Sequence, residues 1–271
     1  MNKPRLHQFL SKTGIFKSKK DLVFAVKNSE IKINGKVITN IDYQFNPNKN
    51  KVYYNGKELS AVDKKVYLIV NKPVGFLSSR LTPKDLELGK KSIFSLFDKE
   101  KDNDKNLDEA TKKTLFCIGR LDENSFGLII VTNDGALGSL ITRPESNITK
   151  TYEAVLEKPI NSDDIKKIEK GVVIKLEENG VVSEYKTKPC RITLLDKNDC
   201  GAKNKIIGLT NKLSIEVTEG KKREVRRIFE AVSNKVKLLK RIGIGRIKLE
   251  ELNIEEGSYM FVEKNFIVSK I

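Results

Sequence analysis

Asp122 is the side chain with the strongest claim to chemistry. It stands in Gly119-Arg120-Leu121-Asp122-Glu123-Asn124-Ser125-Phe126-Gly127-Leu128-Ile129, a turn just ahead of the apolar run Leu128-Ile129-Ile130-Val131, which reads as a core strand ending at Asn133-Asp134-Gly135. The flanking glycines cost stability unless tight backbone geometry is wanted. An acid held beside a buried strand suits nucleophilic or acid–base work. An aspartate in a turn is also the residue type that caps the next element, and the local pattern alone leaves both readings open. Other chemistries lack their parts. His7 is the sole histidine and lies among ordinary helix-core residues, which removes Ser-His-Asp and Cys-His catalysis. Cys117, Cys190 and Cys200 show no Cys-x-x-Cys spacing, so neither a metal site nor a disulfide is expected. Asp122 and Glu123 are too adjacent to converge on one ion, which counts against a metal-dependent nuclease. Gly243-Ile244-Gly245 lacks the third glycine of a nucleotide loop.

A second candidate lies far downstream. Val225, Ile228, Phe229 and Val232 follow the i, i+3, i+4, i+7 spacing of a helix face. On that wheel Arg227 points away from the core, whereas Arg226 sits at the edge of the apolar stripe and can reach inward to a buried acid. A carboxyl group sheltered from water takes up a proton unless an opposed cation keeps it ionised. Tyr152 belongs to the strand pattern of residues 151–156; a strand tyrosine taken by itself is more often core. Between and beyond these lie a buried strand from Tyr67 to Val70, a helix capped by Ser162 and ended by Gly171, and strand patterns at 190–195 and 213–218. Residues 98–114, rich in Lys, Asp, Asn and Glu, read as an exposed insertion.

The charge is uneven along the 271 residues. The formal net charge is +16, yet residues 1–60 carry 12 Lys and Arg against 4 Asp and Glu, and residues 220–248 carry 11 against 2. Two basic segments on a near-neutral remainder favour two contact surfaces for a polyanion such as a nucleic-acid backbone. Residues 5–13 read as a helix stopped by Gly14. A second helix starts at Ser18, with Asp21 three residues on and Lys19 and Lys20 in its first turn, where cations oppose the dipole and make more sense as phosphate contacts. Alternating residues around Asn34-Gly35, and again before Asn55-Gly56, give hairpins. No apolar run is long enough to span a bilayer and no signal-peptide core follows Met1, so cytoplasmic residence is expected.

These residues resemble a known family. Gly-Arg-Leu-Asp, two variable positions, a hydroxyl residue, one more, then Gly-Leu and a hydrophobic strand is the signature of RNA pseudouridine synthases, in particular the bacterial RsuA/RluB group; Ser125 stands where threonine is usual. Asn71-Lys72-Pro73-x-Gly75 also recurs in that group, and Glu219-Gly220-Lys221-Lys222-Arg223-Glu224-Val225-Arg226-Arg227 is similar to its third motif. The resemblance implies that Asp122 acts on the uridine, that Arg226 pairs with it, and that Tyr152 packs against the target base. Lys72 and Arg120 become candidates for the RNA backbone, with Leu121 and Arg223 as further substrate contacts. Arg5-Leu6, Gly14, Ser18-Lys19 and Ile33-Asn34-Gly35 resemble the S4-type RNA-binding domain, which assigns Arg5, Lys17, Ser18, Lys19 and Lys20 to RNA. Lysine replaces the usual arginine at Lys19, losing bidentate geometry, and Asn28-Ser29 replaces the glycine that normally ends the second helix.

The expectation is therefore an α+β protein: a small α/β S4-type RNA-binding domain over 1–60, a linker over 61–66, and a catalytic domain over 67–271 built on a mixed, largely antiparallel sheet. By resemblance it converts a uridine of ribosomal RNA, free or in a pre-ribosomal particle, to pseudouridine. No cofactor or metal is needed, because neither redox change nor a group donor is involved. The protein is expected to act as a monomer with no membrane partner. Arg-Glu-Val-Arg-Arg resembles large-subunit members slightly more than small-subunit ones. The alternative is an inactive RNA-binding ribosome-assembly factor, which loss of Asp122 or Arg226 would have signalled.

Overall fold

The computed structural model describes residues 3–16, 18–98, 107–178, 180–195 and 211–271. Two compact units divide the chain. One comprises Met1–Tyr67, Phe94–Phe116 and Val131–Gly135, the other Leu68–Ile93, Cys117–Ile130 and Ala136–Ile271.

In the first unit, helices Leu6–Ser11 and Lys19–Lys27 precede strands β1 (Ile31–Ile33), β2 (Lys36–Val37), β3 (Val52–Tyr54) and β4 (Lys57–Leu59). The strands form an antiparallel sheet in the order β2-β1-β3-β4. The apolar helix faces and the inward strand residues, among them Leu6, Leu10, Leu22, Val26, Ile31 and Val52, share one core. Ser18 caps the second helix by accepting the Asp21 amide at 3.2 Å. Asn34, Gly35, Asn55 and Gly56 all take positive φ, as two-residue hairpin turns require. At the end of the second helix the left-handed residue is Ser29 (φ 63°), whereas Asn28 stays at φ −81°.

Residues 61–66 contain no helix or strand but are pinned in place. The Val66 amide donates to Asn133 Oδ1 at 3.0 Å, the Thr132 hydroxyl to Val66 O at 2.6 Å, and Asn133 Nδ2 to Lys64 O at 2.8 Å. Residues 98–114 are not simply an exposed insertion: 99–106 lie outside the described residues, but Leu107 is buried and Glu109–Thr114 is a helix whose Thr111 is fully buried. The polar composition conceals these inward positions.

The remaining strands are β5 (Tyr67–Lys72), β6 (Phe76–Leu77), β7 (Lys91–Ser92), β8 (Phe116–Ile118), β9 (Phe126–Thr132), β10 (Lys150–Leu156), β11 (Val173–Glu178), β12 (Val181–Lys186), β13 (Arg191–Leu194), β14 (Lys212–Val217), β15 (Val236–Ile244), β16 (Ile247–Lys248) and β17 (Tyr259–Phe261). A nine-stranded sheet runs β13-β14-β10-β15-β9-β5-β17, with β16 on β15 and β8 on β9. β15 lies parallel to β9 and antiparallel to β10, while β14 is antiparallel to both β10 and β13. This is the mixed, largely antiparallel α+β architecture expected. Leu128 to Val131 of β9 are fully buried, as the unbroken apolar run requires. Ser162–Glu169 is a helix, capped by Asn161 accepting the Asp164 amide at 2.8 Å, one residue before the expected cap. Among the described residues no helix is long and apolar enough to cross a membrane.

Candidate active site

Asp122 sits in a turn closed by the Ser125 amide donating to its carbonyl at 3.0 Å. Its neighbours are anchored from several sides. Ser78 clamps Leu121, its hydroxyl donating to Leu121 O at 2.9 Å and accepting the Leu121 amide at 3.1 Å. The Gly75 amide donates to Glu123 O at 2.9 Å, and Lys90 Nζ lies 2.6 Å from the Glu123 carboxylate. Lys72 Nζ donates to Ser125 O at 2.7 Å, Pro73 O at 3.0 Å and Glu123 O at 3.4 Å.

Lys72 is a correction to the sequence reading. Its side chain is fully buried, so it does not reach an RNA backbone; it fastens the turn that carries Asp122. Burial lowers its pKa to about 8, with Glu123 and Asp122 opposing the shift.

Arg226 arrives from the helix Glu224–Glu230. The guanidinium is buried and donates to Val236 O at 2.8 Å, Asn124 O at 3.0 Å and the Ser125 hydroxyl at 3.3 Å. Its Nε lies 3.9 Å from Asp122 Oδ2 and, though buried, has no hydrogen-bond partner. Ser125 thus explains its own hydroxyl: it orients the cation. Burial holds Arg226 below the usual arginine range, Arg223 adds to the shift and Asp122 opposes it. The Asp122 side chain is 33% exposed, so the acid is half-buried at the edge of a cleft rather than sealed off as expected.

That cleft, of about 110 Å³, brings Arg120, Leu121, Asp122, Tyr152 and Arg223 together. Arg226 is not among its lining residues and meets the site through Asp122 and Ser125. Leu121 and Tyr152 are buried, Arg120 and Arg223 exposed. Tyr152 lies on β10 with Arg241 of β15 directly across the strand pair. Arg241, Lys150 and Glu224 also line the cleft and were not anticipated. Arg241 had a visible signal, a charge at a position of β15 that shares the buried parity of Leu239 and Gly243. Lys150 Nζ donates to Glu219 O at 3.1 Å and Ile148 O at 3.2 Å. Burial lowers its pKa, and Arg241 adds to that.

Glu219 and Glu224 form a carboxyl pair beside the cleft. The Lys188 amide donates to Glu219 at 2.7 Å and the Tyr185 hydroxyl donates to its other oxygen. Burial above all, then the charge of Glu219, pushes Glu224 up to about 7. Cys117 is pushed up to about 12 by burial, and its thiol is no nucleophile. Among the described residues no group of three or more His, Cys, Asp or Glu gathers as metal ligands would.

The N-terminal candidates lie in the other unit. Lys19 and Lys20 are exposed. Arg5 pairs with Asp42 at 3.2 Å, and the Ser18 hydroxyl is engaged as a helix cap. Lys17 and Cys200 lie outside the described residues. A larger cleft of about 770 Å³ in that unit is lined by Glu30, Lys32, Lys51 and Tyr53 among others; it has no acid set against a buried cation, so volume does not identify the reaction site.

A family model described as RNA pseudouridylate synthase matches residues 66–231. The chain belongs to that family. Ribosomal small subunit pseudouridine synthase A of Vibrio vulnificus is 32% identical over 219 residues, which cover 80% of this chain and 79% of the relative. Ribosomal large subunit pseudouridine synthase B of Bacillus subtilis is 30% identical over 237 residues, 88% of this chain and 84% of its own. A solved pseudouridylate synthase matches with a TM-score of 0.63 at 25% identity, over 99% of this chain and 100% of that one. The resemblance read from the signature is borne out at the level of family. Relatives named for both ribosomal subunits are similar to it, so family membership does not favour either RNA.

Proposed function

We propose that this pseudouridine synthase isomerises a specific uridine of ribosomal RNA, with the large-subunit RNA slightly favoured by the Arg-Glu-Val-Arg-Arg sequence, and that Asp122 is the acid that acts on the nucleotide. The reading rests on one observation: a half-buried carboxylate at a cleft, 3.9 Å from a buried guanidinium Nε that has no other partner. Catalytic contacts of this kind are often long in the free enzyme and tighten when substrate enters. Arg226 faces the Asp122 carboxyl group and holds it in position. The target uridine swings out of its stack, since a stacked base hides its glycosidic bond, and Tyr152 supports the ring. Asp122 then acts on the sugar, as nucleophile or as base, while the bond from C1′ to N1 breaks; the base turns and rejoins through C5. Arg120, Leu121 and Arg223 contact the substrate at the cleft.

Residues 1–60 act as an S4-type RNA-binding domain that grips structured RNA through Lys17, Lys19 and Lys20, helped by Arg5 and Ser18. Residues 61–66 join it to the catalytic domain of 67–271. The enzyme works in the cytoplasm as a monomer on ribosomal RNA or a pre-ribosomal particle and requires no cofactor.

The test is Asp122→Asn, assayed by tritium release from ribosomal RNA labelled at uridine C5 and prepared from cells lacking the protein. The variant is expected to bind RNA as the parent does and to release no tritium. Release at the parental rate would refute the assignment of Asp122. Mapping pseudouridines in ribosomal RNA from cells with and without the protein identifies the nucleotide.

A further inference from the structure

Arg241 is a buried cation whose hydrogen bonding is incomplete. The residue is 2% exposed and stands near the middle of the sheet on β15. Its Nε donates to Leu128 O at 2.6 Å, but Nη2, also buried, has no partner. Among the described residues no carboxylate lies within ion-pair distance of it. The backbone of β15 runs very close to β9 at this residue. β9 opposite it carries Gly127 at φ 100°, where an added Cβ would fall 2.3 Å from the Arg241 carbonyl oxygen. The guanidinium Nη1 would lie 4.0 Å from a Cβ placed at Gly119. Both glycines of the signature around Asp122 therefore border Arg241 as well. A desolvated guanidinium with an unused donor destabilises the free protein, and it lines the same cleft as Asp122 and Tyr152.

The position of Arg241 narrows what can complete it. A phosphate backbone stays at the surface, where the exposed Arg120, Lys221 and Arg223 lie on the cleft. The part of the substrate that enters deeply is the flipped base, held against Tyr152, whose ring centre is 6.0 Å from Arg241 Cζ. A guanidinium only donates, so its complement on the base is a carbonyl oxygen.

We propose that Arg241 is a further catalytic residue, whose unpartnered N–H donates to a carbonyl oxygen of the flipped uracil and stabilises the negative charge the base carries while detached. The proposal rests on the reading of the preceding subsection, but holds whether Asp122 acts as nucleophile or base. In both cases the electron pair of the C1′–N1 bond leaves with the ring, giving a uracil anion with charge spread over its nitrogens and carbonyl oxygens. C5 then supplies a pair to C1′, either displacing the Asp122 oxygen bonded there or, where Asp122 acted as base, as the proton it took from C2′ returns to that carbon. C5 loses its hydrogen as a proton and N1 gains one, so the isomerisation balances without a co-reactant. A fixed donor aimed where charge develops accelerates such a step most strongly in a water-poor site.

The experiment compares the parent with Arg241→Lys and Arg241→Ala on the same tritium-labelled ribosomal RNA. Arg241→Lys keeps the charge and a donor for Leu128 O but loses the second nitrogen of the planar fork, which alone is placed to reach the base at the same time. Its kcat is expected to fall about 100-fold, with KM, filter-binding affinity and thermal midpoint near parental values. Methylguanidinium in solution is expected to restore turnover to Arg241→Ala without moving its thermal midpoint, whereas repair of a purely structural defect would raise both. Parental kcat in Arg241→Lys, or a loss expressed only in KM or thermal midpoint, overturns the proposal while leaving the proposed function standing. Absence of release by the parent itself overturns that function and this inference together.

Discussion

Replacing Lys72 by Met separates a structural clamp from an RNA contact. The methionine keeps the bulk of the side chain and removes the ammonium, which serves three carbonyls. Glu123 O retains the Gly75 amide at 2.9 Å, so the two carbonyls that depend on the ammonium are Pro73 O and Ser125 O. At roughly 1–3 kcal/mol for each orphaned buried acceptor the gross cost is about 2–6 kcal/mol. Relief from burying an ammonium, evident in the pKa of about 8, returns part of that. A net loss of about 2–4 kcal/mol is expected, read as a lowered urea midpoint at unchanged slope. Turnover should fall as well, because Ser125 O and Glu123 O belong to the turn that presents Asp122. Affinity for RNA and its salt dependence should not change. An unaltered urea midpoint together with weaker, less salt-dependent RNA binding would refute the clamp and restore the phosphate contact that the sequence alone suggested.

Two further predictions concern charge. The Glu224 carboxyl is raised to about 7 in the folded state, from an ordinary value of 4.5, chiefly by burial. The folded protein thus binds more protons between those values, and this group's contribution is full below about 4.5 and lost as pH rises through about 7. Glu224→Gln should flatten the decline of thermal midpoint between about pH 5 and 7.5; a parental profile in the variant would contradict it. Neutralising Lys17, Lys19 and Lys20 together should weaken RNA binding and reduce the salt slope by about 0.7–0.9 for each phosphate that is no longer neutralised. Equal affinity at every salt concentration would remove the N-terminal grip.

Much of the site was legible because its constraints are local. The turn around Asp122, the strand behind it and the two Asn-Gly hairpins are written in short-range patterns, and the helical wheel put Arg226 at the edge of a buried face. The misreadings come from residues whose surroundings are assembled from afar. Lys72 follows an apolar strand, where a lysine ordinarily marks the return to solvent; only the fold shows the 122–125 turn closing over it. Glu224 looks like a solvated acid in a helix's first turn until Glu219 and the cleft bury it. The hairpin β11–β12 escaped notice because Val181 and Val182 are exposed and provide no inward alternation to read. Asp122 is more open than a sheltered catalytic acid was expected to be, since one wall of its surroundings is the cleft itself.

The placement of β15 between β9 and β10 has a consequence for biosynthesis. Asp122 precedes by more than 100 residues both β15, the strand that joins β9 to β10 in the sheet, and the two buried guanidiniums of the site, Arg226 and Arg241. While the nascent chain ends short of residue 226 it holds the acid without either buried guanidinium, and the gap between β9 and β10 stays open until residues 236–244 emerge. Pairing over so long a separation is slow to form, so competence for catalysis is acquired among the last events of maturation.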